Sequence, residues 1–383
     1  MRCLPTLLVV TLLPVIASSA TDLGWRKVKL FHDPNEACAV ADFNNDGKLD
    51  VSAGRNLFLA PDFTPRPLRE VPEFGEDYLE NNGEHAYDVD GDGWMDLIAG
   101  SYMGKEVYWY KNPGTKGLEY GKLWQKQVLQ VTAQENEITF LRDLIGDRRP
   151  EFVVDSWNPK NPLTVWTLAN SDGKHTFEQM VVGNVNGHGM GFGDINGDGR
   201  EDITFRSGWY ERPAGDLAAT PWKLHEDWLH EQASCPMIIT DLNGDGRNDV
   251  IWGSGHNYGV FWMEQLAPKD GKTQWREHVI DKSWSQAHAL AWEDIDNDGQ
   301  PDLITGKRIR AHPKGDPGID DPACVYYYTW DRAALKFTRH TIDEKDAGTG
   351  LFIRVADLDK NSWPDLVMSG KTGTFILFNE GKK

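Results

Sequence analysis

Cysteine is scarce in this chain. Four occur in 383 residues, and one of them, Cys3, lies in an apolar leader. The remaining Cys38, Cys235 and Cys324 are odd in number and far apart, which excludes a disulfide framework. One pair is conceivable by count, and buried small apolar filling is the expected role. Basic charge is also short. Lys and Arg number 40 against 59 Asp and Glu, a net charge of −19. Such a field repels nucleic acid and anionic membranes. The one long apolar run, Leu7 to Ile16, is broken by Pro14 and too short for a membrane span. Arg2 precedes it and Ala17-Ser18-Ser19-Ala20 follows, so residues 1–20 read as an export signal. The expected mature chain, 21–383, is periplasmic or extracellular. No Gly-x-Ser-x-Gly elbow and no evident nucleophile–base pair occurs. The glycine-rich run from Gly187 to Gly193 precedes a strand rather than a helix, which argues against a phosphate loop.

What is abundant is glycine, at 38, and tryptophan, at 16. Both suit short strands with tight turns and aromatic filling between sheets. The length is great for one core and small for three domains, a tension that a repeat architecture resolves. A repeat is present. Seven segments begin at Asp42, Asp88, Asp143, Asp194, Asp241, Asp294 and Asp357, spaced 46 to 63 residues apart. Most read Asp-x-Asn/Asp-x-Asp-Gly-x-x-Asp. An apolar stretch precedes each loop, a β-branched stretch follows, and then come an aromatic strand and an alternating one. This predicts an all-β, seven-bladed propeller with one four-stranded blade per repeat. The seventh repeat lacks a fourth strand, and Trp25–Phe31 matches the missing pattern. The N-terminal strand is therefore expected to close the ring and cover its edge.

The loops carry metal chemistry. Alternate carboxylates and amides converge when a loop curls, and glycine at position six permits the bend. Hard oxygens suit Ca²⁺. An EF-hand would need Glu at position twelve and flanking helices. Position twelve is instead Ala53, Ala99, Phe205, Trp252 or Thr305, so the ninth-position Asp takes that place. The expected ligands are Asp42, Asn44, Asp46 and Asp50; Asp88, Asp90, Asp92 and Asp96; Asp194, Asn196, Asp198 and Asp202; Asp241, Asn243, Asp245 and Asp249; and Asp294, Asp296, Asp298 and Asp302. The third loop, with Ile145, Arg148 and Glu151, is expected to be empty. The seventh has Asn361 and Ser362 in place of Asp and Gly, which leaves its occupancy open. These repeats resemble the FG-GAP/VCBS family of propellers. That resemblance spans almost all of the expected mature chain and implies structural Ca²⁺ between the first two strands of a blade. It says little about activity.

Residues before the first strands and after the second strands should share the opposite face. Six residues before each loop stand Glu36, Asn82, Glu137, His188, Cys235, His288 and Leu351. Past the second strands stand Arg55, Tyr102, Trp157, Trp209, Tyr210, His256, Lys307, Arg308 and Lys371, with His312 in an insertion at 311–322. One expectation is an active site. Glu36, Glu137 and the histidines would hold a divalent ion such as Zn²⁺, Mn²⁺ or Mg²⁺. His188, His288, Tyr210, Lys307 and Arg308 would then do chemistry on a carbohydrate. Arg55, Trp157, Trp209, His256 and His312 would bind it. The alternative is a binding surface for a sugar or protein without chemistry. A narrower resemblance favours the first. His188-Gly-Met-Gly-Phe-Gly-Asp194 with Gly208-Trp-Tyr-Glu211, and Gln286-Ala-His288 with Gly306-Lys-Arg308, resemble the propeller domain of aldos-2-ulose dehydratase-like proteins. This implies metal-assisted elimination of water from a keto-sugar. The further domains of the fungal enzyme have no counterpart in this sequence.

Overall fold

The computed structural model describes residues 22–75, 77–132, 136–171, 174–215, 220–312 and 314–383. The expected export signal lies outside them. The described residues form seven four-stranded sheets, each antiparallel throughout. Blade 1 runs Ala39–Ala41, Asp50–Ala53, Asn56–Phe58 and Pro65–Pro67. Blade 2 runs Glu84–Tyr87, Asp96–Ala99, Glu106–Lys111 and Gln125–Val131. Blade 3 runs Ile138–Arg142, Glu151–Asp155, Leu163–Ser171 and Lys174–Gly183. Blade 4 runs Gly191–Gly193, Asp202–Phe205, Gly208–Glu211 and Lys223–His225. Blade 5 runs Ile238–Thr240, Asp249–Gly253, Tyr258–Lys269 and Lys272–Ser285. Blade 6 runs Ala287–Glu293, Asp302–Lys307, Val325–Asp331 and Lys336–Asp343. Blade 7 contributes Ile353–Ala356, Asp365–Gly370 and Gly373–Lys382, and Leu23–Phe31 supplies its fourth strand. Pairs such as Lys27 with Leu377 join the two ends of the described chain in one sheet, as the sequence predicts.

First strands of neighbouring blades touch one another, so they surround the central channel. Second strands are buried on both faces, as in Asp249–Gly253 and Asp365–Gly370. That burial explains why they read as unbroken apolar runs rather than alternating ones. Fourth strands are the most exposed of each blade, as in Gln125–Val131, where Leu129 alone is buried. The core is a set of interfaces between blades. Ile304, Val325 and Tyr327 of blade 6, for example, pack with Leu366, Met368 and Phe375 of blade 7. Each such side chain contributes about 1.5–3 kcal/mol on burial.

Every acidic loop joins a first strand to a second. The sixth position takes positive φ at Gly47, Gly93, Gly199, Gly246 and Gly299, and also at the non-glycine residues Arg148 and Ser362. The ninth carboxylate turns back to accept the position-two N–H. Asp50 accepts from Phe43 at 3.0 Å, Glu151 from Leu144 at 2.8 Å and Asp365 from Leu358 at 2.8 Å. Its other oxygen accepts a backbone N–H from the third strand or just past it, from Ala60, Asn112, Arg212, Gln265 or Asn379. The ninth residue thus ties each loop to its own blade. At three of these positions the side chain reaches the loop of the preceding blade. Asn112 donates to the Phe43 carbonyl, Gln265 to that of Ile195 and Asn379 to that of Ile295.

Candidate functional site

On the face away from these loops, four blades deliver one cluster. Glu137 and His288 stand at the start of first strands, His188 just before one, and His256 just after a second strand. Their ligand atoms all lie within 4.8 Å of one another. The rings of His188 and His256 sit 5.2 Å apart at 78°, and those of His256 and His288 5.7 Å apart at 87°. Glu137 Oε1 approaches His288 Nε2 at 3.4 Å. Nδ1 of His188, Nε2 of His256 and Nδ1 of His288 are buried without a hydrogen-bond partner among the described residues, and Nε2 of His288 has only the long contact to Glu137. A buried polar atom left unmatched costs about 1–3 kcal/mol, so such a set is suited to a ligand.

The electrostatics prepare these donors. Burial holds His288 down at about 4, assisted by the Arg308 charge. Burial also lowers His188, and it drives His256 far below its ordinary value, with His188 and His288 adding to the effect. All three imidazoles are therefore neutral near pH 7. Burial alone would raise Glu137, but the His288 contact and the Arg308 charge hold it well below the usual carboxylate range. Three neutral nitrogens and one carboxylate form a donor set for a transition metal or Zn²⁺. Arg308 is fully used at its inner edge. Its Nε and Nη2 donate to both oxygens of Glu36 at 2.9 and 3.0 Å, and Nη1 donates to Glu137 at 3.2 Å. Tyr102 adds a hydroxyl to Glu36 at 2.9 Å.

Glu137, His188 and Arg308 form the inner part of a cavity of about 940 Å³. Its walls include Phe74, Tyr78, Tyr102, Met103, Trp157 and His312. Phe74 and Tyr78 stack at 4.8 Å on a small hairpin, Glu73–Phe74 with Tyr78–Leu79, between blades 1 and 2. Across from it runs the connection between the second and third strands of blade 6. Arg310 of this strap pairs with Asp77 of the hairpin at 2.8 Å. His312 stacks on His256 at 4.4 Å and shares Asp316 with it.

The sequence-derived residues divide. His188, His288, Glu137 and Arg308 come together, joined by His256, which was expected on the substrate side. Trp157 and His312 line the cavity as expected. Glu36 is not in the donor cluster, because its two oxygens are held by Arg308. Tyr210 is not on the cavity. Its hydroxyl is bound to the Val185 backbone and its ring stacks on Phe205 at 5.0 Å, between blades. Trp209 stacks on His225 at 3.9 Å and donates to Asp227. Lys307 is wholly buried and pins the strap, donating to Ser285 at 2.8 Å and to the Gly318 carbonyl. Arg55 holds the Val71 carbonyl and Glu73 away from the cavity. Cys235, on the same ring of positions, donates to Asp155 at 3.1 Å, and all three cysteines of the described residues are free and buried. The Phe74–Tyr78 hairpin and Asp316 escaped sequence reasoning. The aromatic pair around Gly75 was the available signal for the first.

The acidic loops also divide. First, third and ninth carboxylates cluster in the second, sixth and seventh loops. In the first, fourth and fifth loops position three is Asn, and the fifth-position Asp46, Asp198 and Asp245 turn to Lys48, Arg200 and Arg247.

A family model of the FG-GAP-like repeat matches residues 241–305. No curated protein matches the sequence. The V. cholerae biofilm matrix protein Bap1, known from a crystal structure, is similar at 9% identity and a TM-score of 0.47, over 94% of this chain and 91% of that one. Among the described residues no helix is long and apolar enough to cross a membrane. The chain is a seven-bladed β-propeller that bears the FG-GAP-like repeat over residues 241–305.

Proposed function

We propose that the cavity is the active site of an exported, metal-dependent lyase that eliminates water from a keto-sugar or related carbohydrate. The observation that carries this is the convergence of Glu137, His188, His256 and His288, with their unpartnered ring nitrogens, at the inner end of a large cavity. Those four residues would hold the ion, which when bound polarises a carbonyl or hydroxyl oxygen. Arg308 keeps Glu137 ionised and fixed. It retains unused N–H groups beside the cavity for a developing enolate oxygen. His312 lines the cavity with Nδ1 on Asp316, and is the group assigned to proton transfer at the carbon next to the carbonyl. The C–O bond at the next carbon breaks as the C=C bond forms, and the proton taken up by His312 is returned to the departing hydroxyl, which leaves as water. Trp157, with the Phe74–Tyr78 pair beside it, offers aromatic surface against which a sugar ring can pack. In the five intact acidic loops we place Ca²⁺ as a structural ion.

The test is elimination on 2-keto and 3-keto sugars, followed by absorbance of the unsaturated product after loading with Zn²⁺ or Mn²⁺. His188→Ala should abolish turnover, and His312→Ala should lower it about 10²–10⁴-fold. Wild-type protein inactive on all such sugars with either metal would sink the lyase reading. The apolar cavity wall, with Met103 54% exposed, favours one alternative, a carbohydrate-binding propeller without chemistry. Saturable sugar binding with no turnover in metal-loaded protein would support it.

A further inference from the structure

Among the described residues, His256 is the proposed ligand with a carboxylate at the ring nitrogen turned away from the cluster. Asp316 Oδ2 lies 3.2 Å from His256 Nδ1. The same carboxylate receives His312 Nδ1, with 3.0 Å to each oxygen. The two rings stack at 4.4 Å and 15°, so one carboxylate spans both edges. An imidazole that donates through Nδ1 carries its lone pair on Nε2. His256 Nε2 is the atom left without a partner beside Glu137, His188 and His288.

The backbone holds Asp316 in place independently of the histidines. Ile319 N–H donates to the Asp316 carbonyl at 3.2 Å, closing a turn. Lys307 Nζ binds the Gly318 carbonyl two residues on, and Tyr258 donates to Asp321 at 2.6 Å. The carboxylate is thus presented by blade 6 to a histidine of blade 5, with its side chain 11% exposed.

We infer that Asp316 is the positioning residue of the metal site, selecting the His256 tautomer whose Nε2 faces the ion. The inference rests on the metal reading above. It assigns the strap a part in metal binding, beyond covering the cavity, and explains why His256 and His312 share one acceptor.

The test is calorimetric titration of the full chain, freed of transition metal, with Zn²⁺ alone, in excess Ca²⁺ that saturates the acidic loops. Asp316→Ala should weaken Zn²⁺ binding about 10- to 100-fold, the range for loss of a carboxylate behind a ligating imidazole. Asp316→Asn keeps an acceptor oxygen and should lose less, though at least about threefold. It carries the measurement if the alanine variant does not fold. His312→Ala removes the other imidazole and should leave Zn²⁺ affinity within about threefold of wild type. Wild-type affinity in both Asp316 variants would overturn the inference while leaving the metal reading intact. So would a loss in His312→Ala equal to that in Asp316→Ala, because it would assign the effect to strap packing. Absence in wild type of any Zn²⁺ site that Glu137→Gln removes would instead overturn the metal reading, and this inference with it.

Discussion

Arg308 and Glu36 set the terms on which the other groups of the cavity work. Arg308 arises at the end of a blade 6 strand and Glu36 just before the first strand of blade 1. The two side chains meet with 3% and 1% exposure. Burial would raise Glu36, yet Arg308 and Lys371 bring it down to about 2. An ion pair this deep contributes little net stability when whole, but breaking it strands a charge. Glu36→Gln is expected to destabilise the protein by about 3–5 kcal/mol in denaturant titration. A loss below about 1 kcal/mol would mean that water reaches the pair. The same substitution loosens Arg308, whose Nη1 steadies Glu137. Zn²⁺ affinity should therefore fall in parallel with stability.

At the scale of the loop, the ninth Asp is both a hub for backbone N–H groups and a buried charge. Burial raises Asp50, Asp96, Asp249 and Asp365 to about 6, Asp202 to about 7 and Asp302 to about 8, with neighbouring carboxylates adding to the effect. A native value above the unfolded value of about 4 stabilises the protein only while the group is protonated. That stability is complete below pH ~4 and is lost as pH rises through 6 to 8 in metal-free protein. A Ca²⁺ ion bound there, as proposed, would offset the repulsion. The gain in melting temperature from Ca²⁺ over EGTA should therefore be larger at pH 7.5 than at pH 5. Equal gains at both values, or none, would remove Ca²⁺ from the account of these loops. Taking the difference at each pH cancels the contributions of buried histidines such as His230, lowered to about 4 by burial.

For the whole molecule, the ring is closed by Leu23–Phe31, which covers the edge of Gly373–Lys382. Removing that strand uncovers paired-strand hydrogen-bonding groups and apolar surface such as Phe375 and Leu377. A chain beginning after Phe31 should lose its cooperative melt and form oligomers in sedimentation. A monomeric chain with an unchanged melt would show that closure is dispensable. The channel face of the ring then matters for a second reason. Blades 3, 4, 5 and 6 each contribute one donor to the His/Glu cluster, so any slip in blade order separates its members.

Much was legible in the sequence because a repeated local motif carries its own structure. Asp-x-Asn/Asp-x-Asp-Gly-x-x-Asp bends one way wherever it occurs. Seven copies count the blades, and the orphan Trp25–Phe31 pattern predicts the closure that the sheet pairing displays. A constant offset from each loop placed Glu137, His188 and His288 at one height, because strands rise evenly per residue. Height is all that an offset supplies. Which way a side chain points depends on the neighbouring blade, and that is a matter of packing. Packing turned Glu36 to Arg308, Tyr210 into a blade interface, Lys307 under the strap and Cys235 to Asp155. It also drew His256 into the donor cluster and set Asp316 behind it, across 60 residues and a blade boundary. The sequence by itself determined the fold, since local hydrogen bonding and hydrophobic periodicity suffice for that. Only the tertiary structure decided the members of the site, since burial and partner choice exist only once the ring has closed.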